Sequence, residues 1–276
     1  MKITEALNFI KSELLPVSGD LAQGEAELIL EHVFNCSRSD LYLSKKNTVT
    51  DDIQKKINTI VSRCKLHEPL PYIFNKTYFH SMEFYVDPSV LIPRPDTEIL
   101  VETILENEKN KDCFFIDIGT GSGAIAAILL KKNRFWKSIG SDISINALRI
   151  AKRNCPRDVY FLNADMFAAF KPLHCFDFIV CNPPYITKSE MQDLDLSVKN
   201  FEPEIALLGG EDGLDFYRII AKNAGHFLKP HGRLYCEIGF AQAKQVTEIF
   251  KSAGLKDIKI LPDLAGRPRV VKCNIQ

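Results

Sequence analysis

Short apolar segments alternate with amphipathic segments from residue 113 onward, and this alternation constrains the fold more than any other feature. Strands are predicted at residues 113–118, 138–142, 159–163, 176–181, 233–238, 257–261 and 269–274, and helices at 125–131, 145–154, 213–224 and 242–253. Repeated strand–helix units imply an α/β fold with a mainly parallel sheet and helices on both faces. Ligands bind such sheets at the carboxyl ends of the strands, so polar residues that follow a strand are the first candidates for a functional site.

The first part of the chain has a different pattern. Three apolar stripes with helical spacing predict a small helical bundle: Ile3, Leu7, Ile10 and Leu14; Ala26, Ile29, Leu30, Val33 and Phe34; Ile53, Ile57, Ile60, Val61 and Cys64. Residues 69–95 are rich in proline and aromatic residues and predict a connector with a hairpin, in which 78–79 pair near 83–86. Asp96 and Thr97 predict the N-cap of a helix that runs through Leu105. We therefore expect three segments: residues 1–72, 73–92 and 93–276.

Composition excludes several classes of protein. Lys and Arg together number 35, as do Asp and Glu, and this zero net charge argues against a protein that binds nucleic acid directly. The eight cysteines include no C-x-x-C pair and no zinc-ligand spacing, which indicates reduced thiols, a cytoplasmic location and no bound metal. We expect neither a signal peptide nor a membrane span.

A glycine-rich turn follows the first strand of the alternating region. Asp117 precedes Gly119-Thr120-Gly121-Ser122-Gly123, and Asp142 ends the next strand. Glycines let the backbone approach a ligand closely, and an acidic residue at the end of the second strand can accept hydrogen bonds from ribose hydroxyls. This pattern predicts a cofactor that contains adenosine and fits both a nicotinamide dinucleotide and S-adenosylmethionine. Asp117 favours a cationic ligand such as a sulfonium.

The tetrapeptide Asn182-Pro183-Pro184-Tyr185 follows the fourth predicted strand of this region. Proline fixes φ and pushes the residue before it into extended geometry, so the segment is a stiff corner. The corner presents two hydrogen-bond acceptors, the Asn182 side-chain oxygen and the Pro183 carbonyl, which suit the two protons of an –NH2 group. Held in this way, an amide or exocyclic amine nitrogen can attack an electrophilic methyl group. Cys181, just before the corner, is expected to be a buried strand residue rather than a nucleophile.

Several segments together resemble the peptide chain release factor N5-glutamine methyltransferase family (PrmC/HemK). They are Leu91-Ile92-Pro93-Arg94-Pro95-Asp96-Thr97-Glu98, Asn182-Pro183-Pro184-Tyr185, Phe201-Glu202-Pro203-Glu204, Gly209-Gly210-Glu211-Asp212-Gly213-Leu214, Glu237-Ile238-Gly239 and Asp263-Leu264-Ala265-Gly266-Arg267. The resemblance covers nearly the whole chain. It departs at Met166, where many relatives have an aromatic residue, and at Asn75, where relatives tend to have glycine.

The resemblance implies a Rossmann-like S-adenosylmethionine-dependent methyltransferase domain behind an N-terminal helical domain that recognises the substrate. It implies that the cofactor contacts Asp117, Gly119, Thr120, Gly121, Ser122, Gly123, Asp142, Met166 and Asn182. It also implies that Asn182, Pro183, Pro184 and Tyr185 hold the glutamine of a release-factor loop, with Asn182, Pro183 and Tyr185 as the catalytic residues. The product is S-adenosylhomocysteine, and we expect a monomer that contacts no membrane.

Two charged residues near these motifs have less specific roles. Arg94 either meets an acidic group of the substrate or cofactor or is a solvated loop arginine. Glu202 is expected to brace the motif loop rather than to transfer a proton, because the reaction demands no proton transfer from it.

Other functions remain compatible with the motifs. The same chemistry on a ribosomal-protein glutamine or on the N6 amine of adenine in DNA would use the same corner, although a DNA enzyme normally has a target-reading domain and a basic surface. A module that binds S-adenosylmethionine without catalysis would not explain the presence of Asn182. A nicotinamide dehydrogenase would not explain any residue of the Asn182-Pro183-Pro184-Tyr185 corner.

Overall fold

The computed structural model describes residues 2–43, 48–109, 112–155 and 159–275. These residues form two compact units. The first contains the chain up to Asn75 together with Asp195–Phe201, and the second contains Lys76–Leu194 and the chain from Glu202 onward. Each unit has a hydrophobic core of its own.

The first unit is helical. It contains α1 (Ile3–Ser18), α2 (Ala22–Phe34), α3 (Arg38–Leu43), α4 (Asp51–Cys64) and α5 (Leu70–Phe74). The predicted stripes face inward, and Ile10, Leu14 and Ile57 are fully buried in one core, which confirms the helical bundle. Helices α3 and α5 span fewer than two turns, so periodicity does not reveal them.

A hairpin opens the second unit. Strand β1 (Thr77–Phe79) pairs antiparallel with β2 (Met82–Phe84), and Tyr78 lies opposite Glu83. The predicted hairpin is confirmed, although its second strand ends at Phe84. The Asn75 backbone just before it has φ 52° and caps α5 in the left-handed conformation, which explains how glycine and asparagine both suit that position.

One sheet is the framework of the second unit. Its strands in the described part of the chain are β3 (Phe114–Ile118), β4 (Lys137–Asp142), β5 (Val159–Asn163), β6 (Phe176–Cys181), β7 (Leu228–Glu237), β8 (Lys256–Pro262) and β9 (Pro268–Asn274). Their spatial order is β5-β4-β3-β6-β7-β9-β8, and only the pairs that involve β9 are antiparallel. The predicted α/β architecture is confirmed. Strand β7 begins earlier than predicted because Pro230 and Gly232 interrupt its apolar pattern.

Helices cover both faces of the sheet. On one face, α6 (Glu98–Asn107) and α7 (Ala124–Lys132) pack against Phe115 and Phe178. The other helices are α8 (Ile145–Asn154), which lies beside β4 and β5, α9 (Leu196–Phe201) of the first unit, and α10 (Asp215–Asn223) and α11 (Ala243–Ser252) on the opposite face of the sheet. Among the described residues, no helix has the length and apolar character that a bilayer crossing requires.

Thr97 stands at the start of α6 but does not cap it. The helix begins where it was predicted, yet the Thr97 side chain makes no capping hydrogen bond. Its hydroxyl donates instead to the carboxylate of Glu237 at 2.6 Å. Thr97 therefore occupies the predicted N-cap position, but its side chain does not cap the helix, because a buried acceptor 140 positions along the chain takes the only proton that the hydroxyl can donate.

Two carboxylates are buried near the carboxyl edge of the sheet. Asp117 in β3 and Glu237 in β7 expose no more than 1% of their surface. Burial raises the pKa of each to about 7, although hydrogen bonds from the Thr120 and Thr97 hydroxyls, respectively, oppose the shift. Both acids therefore bind a proton more tightly in the folded chain than in the unfolded chain. Their contribution to stability is complete at acid pH and is lost as the pH rises through about 7.

Replacing Asp117 by Asn is expected to flatten part of the pH dependence of stability. The parent protein loses stability between about pH 4 and about pH 7, because Asp117 ionises in the unfolded chain while it stays protonated in the core; the loss is at most about 1.4 kcal/mol per pH unit for this group. Because Asp117→Asn cannot ionise, its free energy of unfolding relative to the parent rises with pH. Denaturant unfolding at several pH values measures the difference. Glu248→Gln, at an exposed carboxylate on α11, is the control. Parallel curves for the parent and Asp117→Asn would contradict the expected ionisation.

Candidate active site

Four parallel strands end at one level, and this places the candidate residues side by side. Ile118 of β3 lies opposite Ser141 of β4 and opposite Cys181 of β6, and Cys181 lies opposite Cys236 of β7. The residues that follow these four in the chain are Gly119, Asp142, Asn182 and Glu237. Adjacent strands are about 4.8 Å apart, so the order along the edge is Asp142, Gly119, Asn182 and Glu237.

A cavity opens at this edge. Its wall includes most of the predicted site residues: Arg94, Gly119, Thr120, Gly121, Ser122, Asp142, Met166, Asn182, Pro183 and Pro184. The remaining three, Asp117, Gly123 and Tyr185, are not part of the wall. Apolar side chains, among them Ile143 and Phe216, complete the cavity and suit a flat ring or an aliphatic chain.

The glycine turn forms a cradle with free space above its backbone. Gly119, Gly121 and Gly123 have φ of 68°, 55° and 79°, a region in which other residues are strained. A Cβ built on Gly119 would meet no atom within 4 Å, and one on Gly121 would meet only a carbonyl at 3.9 Å. A Cβ on Gly123, in contrast, would lie 2.6 Å from the Cys155 sulfur. The first two glycines therefore leave room for a ligand, whereas the third lets α7 pack closely against the end of α8.

Asp142 is held in place by the cradle and still has capacity to accept hydrogen bonds. Its Oδ2 accepts from the Gly121 amide at 2.9 Å and its Oδ1 from the Ser144 amide at 2.8 Å. Burial raises the pKa of Asp142, and these two amides oppose the shift. Since each carboxylate oxygen accepts about two hydrogen bonds, lone pairs remain for the hydroxyls of a ribose. The cradle and this carboxylate together fit the nucleoside part of S-adenosylmethionine.

Asp117 supports the cradle from behind. Its Oδ2 accepts a hydrogen bond from the Thr120 hydroxyl at 2.7 Å. Its Oδ1 is buried and has no partner of normal hydrogen-bond geometry among the described residues. A buried carboxylate in this state attracts positive charge, and Thr120 connects it to the cavity wall.

Met166 lines the cavity on the side of β5. Its backbone is left-handed, with φ 47°, which is uncommon for a residue other than glycine, asparagine or aspartate. Its side chain packs against the core formed with β6, β7 and α10.

A chain of hydrogen bonds runs behind the Asn182 corner. The Asn182 amide nitrogen donates to the Thr97 hydroxyl at 3.2 Å, and Thr97 donates to Glu237 Oε2 at 2.6 Å. Tyr185 donates to Glu237 Oε1 at 3.5 Å, at the limit of a hydrogen bond. Burial raises the pKa of Tyr185 to about 12, so its hydroxyl is a neutral donor. The Asn182 nitrogen is therefore engaged behind the corner, and its oxygen remains available.

The backbone of the corner is packed against a glycine-rich segment. A Cβ on Gly209 would lie 2.8 Å from the Pro184 carbonyl oxygen, and one on Gly213 would lie 2.4 Å from that of Tyr185. The Gln242 amide donates to the same Tyr185 carbonyl at 2.9 Å. Glycine is thus required on sterics at 209 and 213, and the corner cannot move without moving this segment.

Arg94 and Glu202 form an ion pair. The Glu202 carboxylate is buried, and Arg94, which lines the cavity, donates to it. Burial raises the pKa of Glu202, and the nearby positive charge of Arg94 opposes the shift. Arg94 is therefore anchored rather than freely solvated, and it keeps a partly exposed face at the cavity wall.

Sequence reasoning missed Thr97 and Glu237 as parts of the site. The sequence predicts a helix N-cap at Thr97 and places Glu237 in a segment that resembles the family, and neither pattern by itself indicates a part of the site. The available signal was Glu237 itself, since a carboxylate that ends the apolar strand Leu234-Tyr235-Cys236 must be buried and needs partners. Among the described residues, no group of three or more His, Cys, Asp or Glu side chains is arranged to hold a metal ion.

Comparison with known proteins relates the chain to two family models and to solved structures of the same fold. Residues 5–74 match the model of the PrmC N-terminal domain, and residues 94–200 match that of the methyltransferase small domain. The catalytic domain of hMettl16, solved with a hairpin of the MAT2A 3′UTR, superposes with a TM-score of 0.58 at 15% identity and covers 80% of this chain and 82% of that one. At this identity the likeness concerns the fold alone.

Two relatives are much closer in sequence. The release factor glutamine methyltransferase of Koribacter versatilis is 40% identical over 250 residues, which cover 89% of each chain. That of Streptococcus pneumoniae is 36% identical over 280 residues, which cover 98% of each chain. Similarity of this degree over nearly the full length of both relatives shows that the chain belongs to the family of release factor glutamine methyltransferases.

Proposed function

We propose that this protein methylates the side-chain amide nitrogen of a glutamine in peptide chain release factors, with S-adenosylmethionine as the methyl donor. Membership of the family supports the reaction and the substrate class. The observation that carries the proposal is the position of Asn182 and Pro183, which line the same cavity as the glycine cradle, one strand away from it, while the Asn182 nitrogen donates to Thr97.

The cradle residues would hold the methyl donor. When bound, S-adenosylmethionine supplies a methyl group made electrophilic by the sulfonium charge. Gly119, Gly121 and Ser122 would approach it with their backbone, Asp142 would accept from its ribose hydroxyls, and Met166 would pack against its adenine. Asp117 and Gly123 would act indirectly, Asp117 through its charge and its hold on Thr120, and Gly123 through the packing of α7 on α8.

The corner would hold the acceptor. A glutamine amide nitrogen is a weak nucleophile because its lone pair is delocalised into the carbonyl group. Asn182 Oδ1 and the Pro183 carbonyl would each accept a hydrogen bond from one of its two N–H groups. These two bonds would aim the nitrogen at the methyl group. Orientation of this kind contributes up to about 7–11 kcal/mol in favourable intramolecular models. Pro184 keeps the corner stiff, Tyr185 anchors it to Glu237, and Arg94 is available to an acidic group of the bound partner.

The remaining assignments concern the whole protein. We propose that residues 1–72 recognise the release factor, residues 73–92 connect, and residues 93–276 carry the chemistry. The match of the helical unit to the PrmC N-terminal domain supports the first of these. A cytoplasmic monomer that binds neither nucleic acid nor membrane is also proposed, and the zero net charge and eight free cysteines support it.

The substrate is tested by transfer of a labelled methyl group. Purified protein is expected to label release factor, and replacement of the acceptor glutamine by alanine in the release factor is expected to abolish the label. Ribosomal proteins and duplex DNA are offered in parallel, and nuclease treatment separates labelled protein from labelled nucleic acid. Label that persists in the release-factor variant, or that appears only in DNA, would refute the proposed substrate.

Replacing Asn182 by Ala is expected to lower kcat/KM by on the order of 10²-fold or more, because a preorganised polar contact to the reacting nitrogen is lost. Asn223→Ala is the matched control, since the Asn223 amide donates to the carbonyl of Ile219 in its own helix. Initial rates of labelling compare the two variants. Near-parent activity in Asn182→Ala would remove the corner from the mechanism.

Binding of the methyl donor is tested without turnover. S-adenosylmethionine is expected to raise the melting temperature of the parent protein, whereas a nicotinamide dinucleotide is not, since only a ligand that binds the folded state stabilises it. Asp142→Ala is expected to raise the dissociation constant of S-adenosylmethionine, measured by calorimetry, by about tenfold or more, because a charged hydrogen-bond acceptor is lost. Glu248→Ala is the surface control. An unchanged dissociation constant in Asp142→Ala would contradict the ribose assignment.

A further inference from the structure

The hydrogen-bond chain behind Asn182 has a direction, and Glu237 sets it. An ionised carboxylate can only accept hydrogen bonds. Glu237 Oε2 therefore accepts a hydrogen bond from the Thr97 hydroxyl at 2.6 Å, and this bond uses the only proton of that hydroxyl. With that proton committed, the Thr97 oxygen faces Asn182 as an acceptor only. The Asn182 side chain must then present its –NH2 to Thr97, as it does at 3.2 Å, and its oxygen points away from Thr97.

This direction matters because an asparagine amide is nearly symmetric in shape. The oxygen and the nitrogen occupy almost the same volume, so packing alone does not distinguish the two orientations, and the hydrogen-bond partners decide. In the opposite orientation the Asn182 –NH2 group would face the –NH2 group of the substrate that is to be methylated. Two donors would then oppose each other, and one of the acceptor's N–H bonds would be left without a partner in a cavity with largely apolar walls.

We propose that Thr97 and Glu237 are positioning residues, which hold the Asn182 amide with its oxygen toward the cavity so that it accepts from the substrate –NH2 group. The inference rests on the proposed function for the identity of the –NH2 group, but the orientation itself concerns only this chain. Neither residue is a base or a nucleophile. Glu237 lies outside the cavity wall and acts through Thr97, which acts through Asn182.

The surroundings of Glu237 determine when this direction holds. The groups that face its carboxylate are Thr97 and Asp96 ahead of α6, Tyr185 in the corner and Arg269 in β9, and the Tyr217 hydroxyl of α10 donates to its backbone carbonyl at 3.0 Å. Arg269 favours the ionised form and Asp96 disfavours it. Since burial brings the pKa of Glu237 to about 7, the experiments below are run at about pH 8, where the ionised form dominates.

The first test is a double-mutant cycle. Thr97→Val keeps the shape of the side chain and removes the hydroxyl, and it is expected to lower kcat by about tenfold or more, the effect of about 1.4 kcal/mol. In an Asn182→Ala background, where no amide is left to orient, the same change is expected to cost less than about twofold. Labelled methyl transfer to release factor measures all four proteins. An equal loss in both backgrounds would show that Thr97 acts independently of Asn182 and would overturn the proposal.

Two further variants separate orientation from folding. Thr97→Ser keeps the hydroxyl and is expected to restore kcat to within about threefold of the parent, whereas a Ser variant as slow as Thr97→Val would overturn the proposal. Thr103→Val, at a buried threonine of α6, is the matched control and should match the parent in rate. Melting temperatures confirm that each protein is folded.

The second test needs no substrate. In ¹H–¹⁵N spectra, the side-chain amide pair of Asn182 is assigned by its loss in Asn182→Ala. Its exchange with solvent is expected to be slow in the parent and at least about tenfold faster in Thr97→Val and in Glu237→Gln, where the direction of the chain is no longer imposed. Equal exchange in parent and variants would overturn the proposal. A parent that shows slow exchange but never methylates release factor would instead refute the proposed function alone.

Discussion

The parallel register of β3, β4, β6 and β7 is the constraint on which the site depends. Side chains alternate between the faces of a sheet, so a slip of one residue in β6 would turn every side chain of that strand to the other face. The register is held by burial on both faces, with Phe115 and Phe178 stacked on one face at a ring distance of 4.6 Å and Ile116 and Ile179 buried on the other. The core and the alignment of Asn182 with the cradle are therefore fixed by the same contacts.

Much of this arrangement follows from the sequence. Strands and helices leave different apolar periods, so the alternation of elements predicts the parallel sheet and the edge at which ligands bind. The glycine turn and the two prolines after Asn182 have conformational demands that are local to the chain. For that reason the cradle, Asp142 and the corner are predictable individually, and the resemblance to one family connects them before any contact is known.

The rest depends on contacts between distant segments, which no local pattern encodes. The bond from Thr97 to Glu237 spans 140 positions and that from Asn182 to Thr97 spans 85. The local sequence predicts that Thr97 caps a helix. Its hydrogen bond to Glu237 follows only from the packing of α6 near the end of β7. The orientation of Tyr185 likewise follows from tertiary packing, because an aromatic residue after two prolines suits a cavity wall and a core equally well.

Burial of the Glu237 carboxylate costs free energy, because its ionised form is desolvated. What the carboxylate contributes here follows from its hydrogen-bonding chemistry. A glutamine or a hydroxyl in place of Glu237 would offer both a donor and an acceptor, so the chain through Thr97 could run in either direction at similar free energy. Only a group without protons forces one direction. The same burial that destabilises the ionised form at neutral pH strengthens its hydrogen bond with Thr97, because the local dielectric is low, and this bond fixes the orientation of Asn182. With Glu237 at the end of β7 the folded chain is thus less stable than it would be with an apolar residue there. In return, the Asn182 amide is held in one orientation.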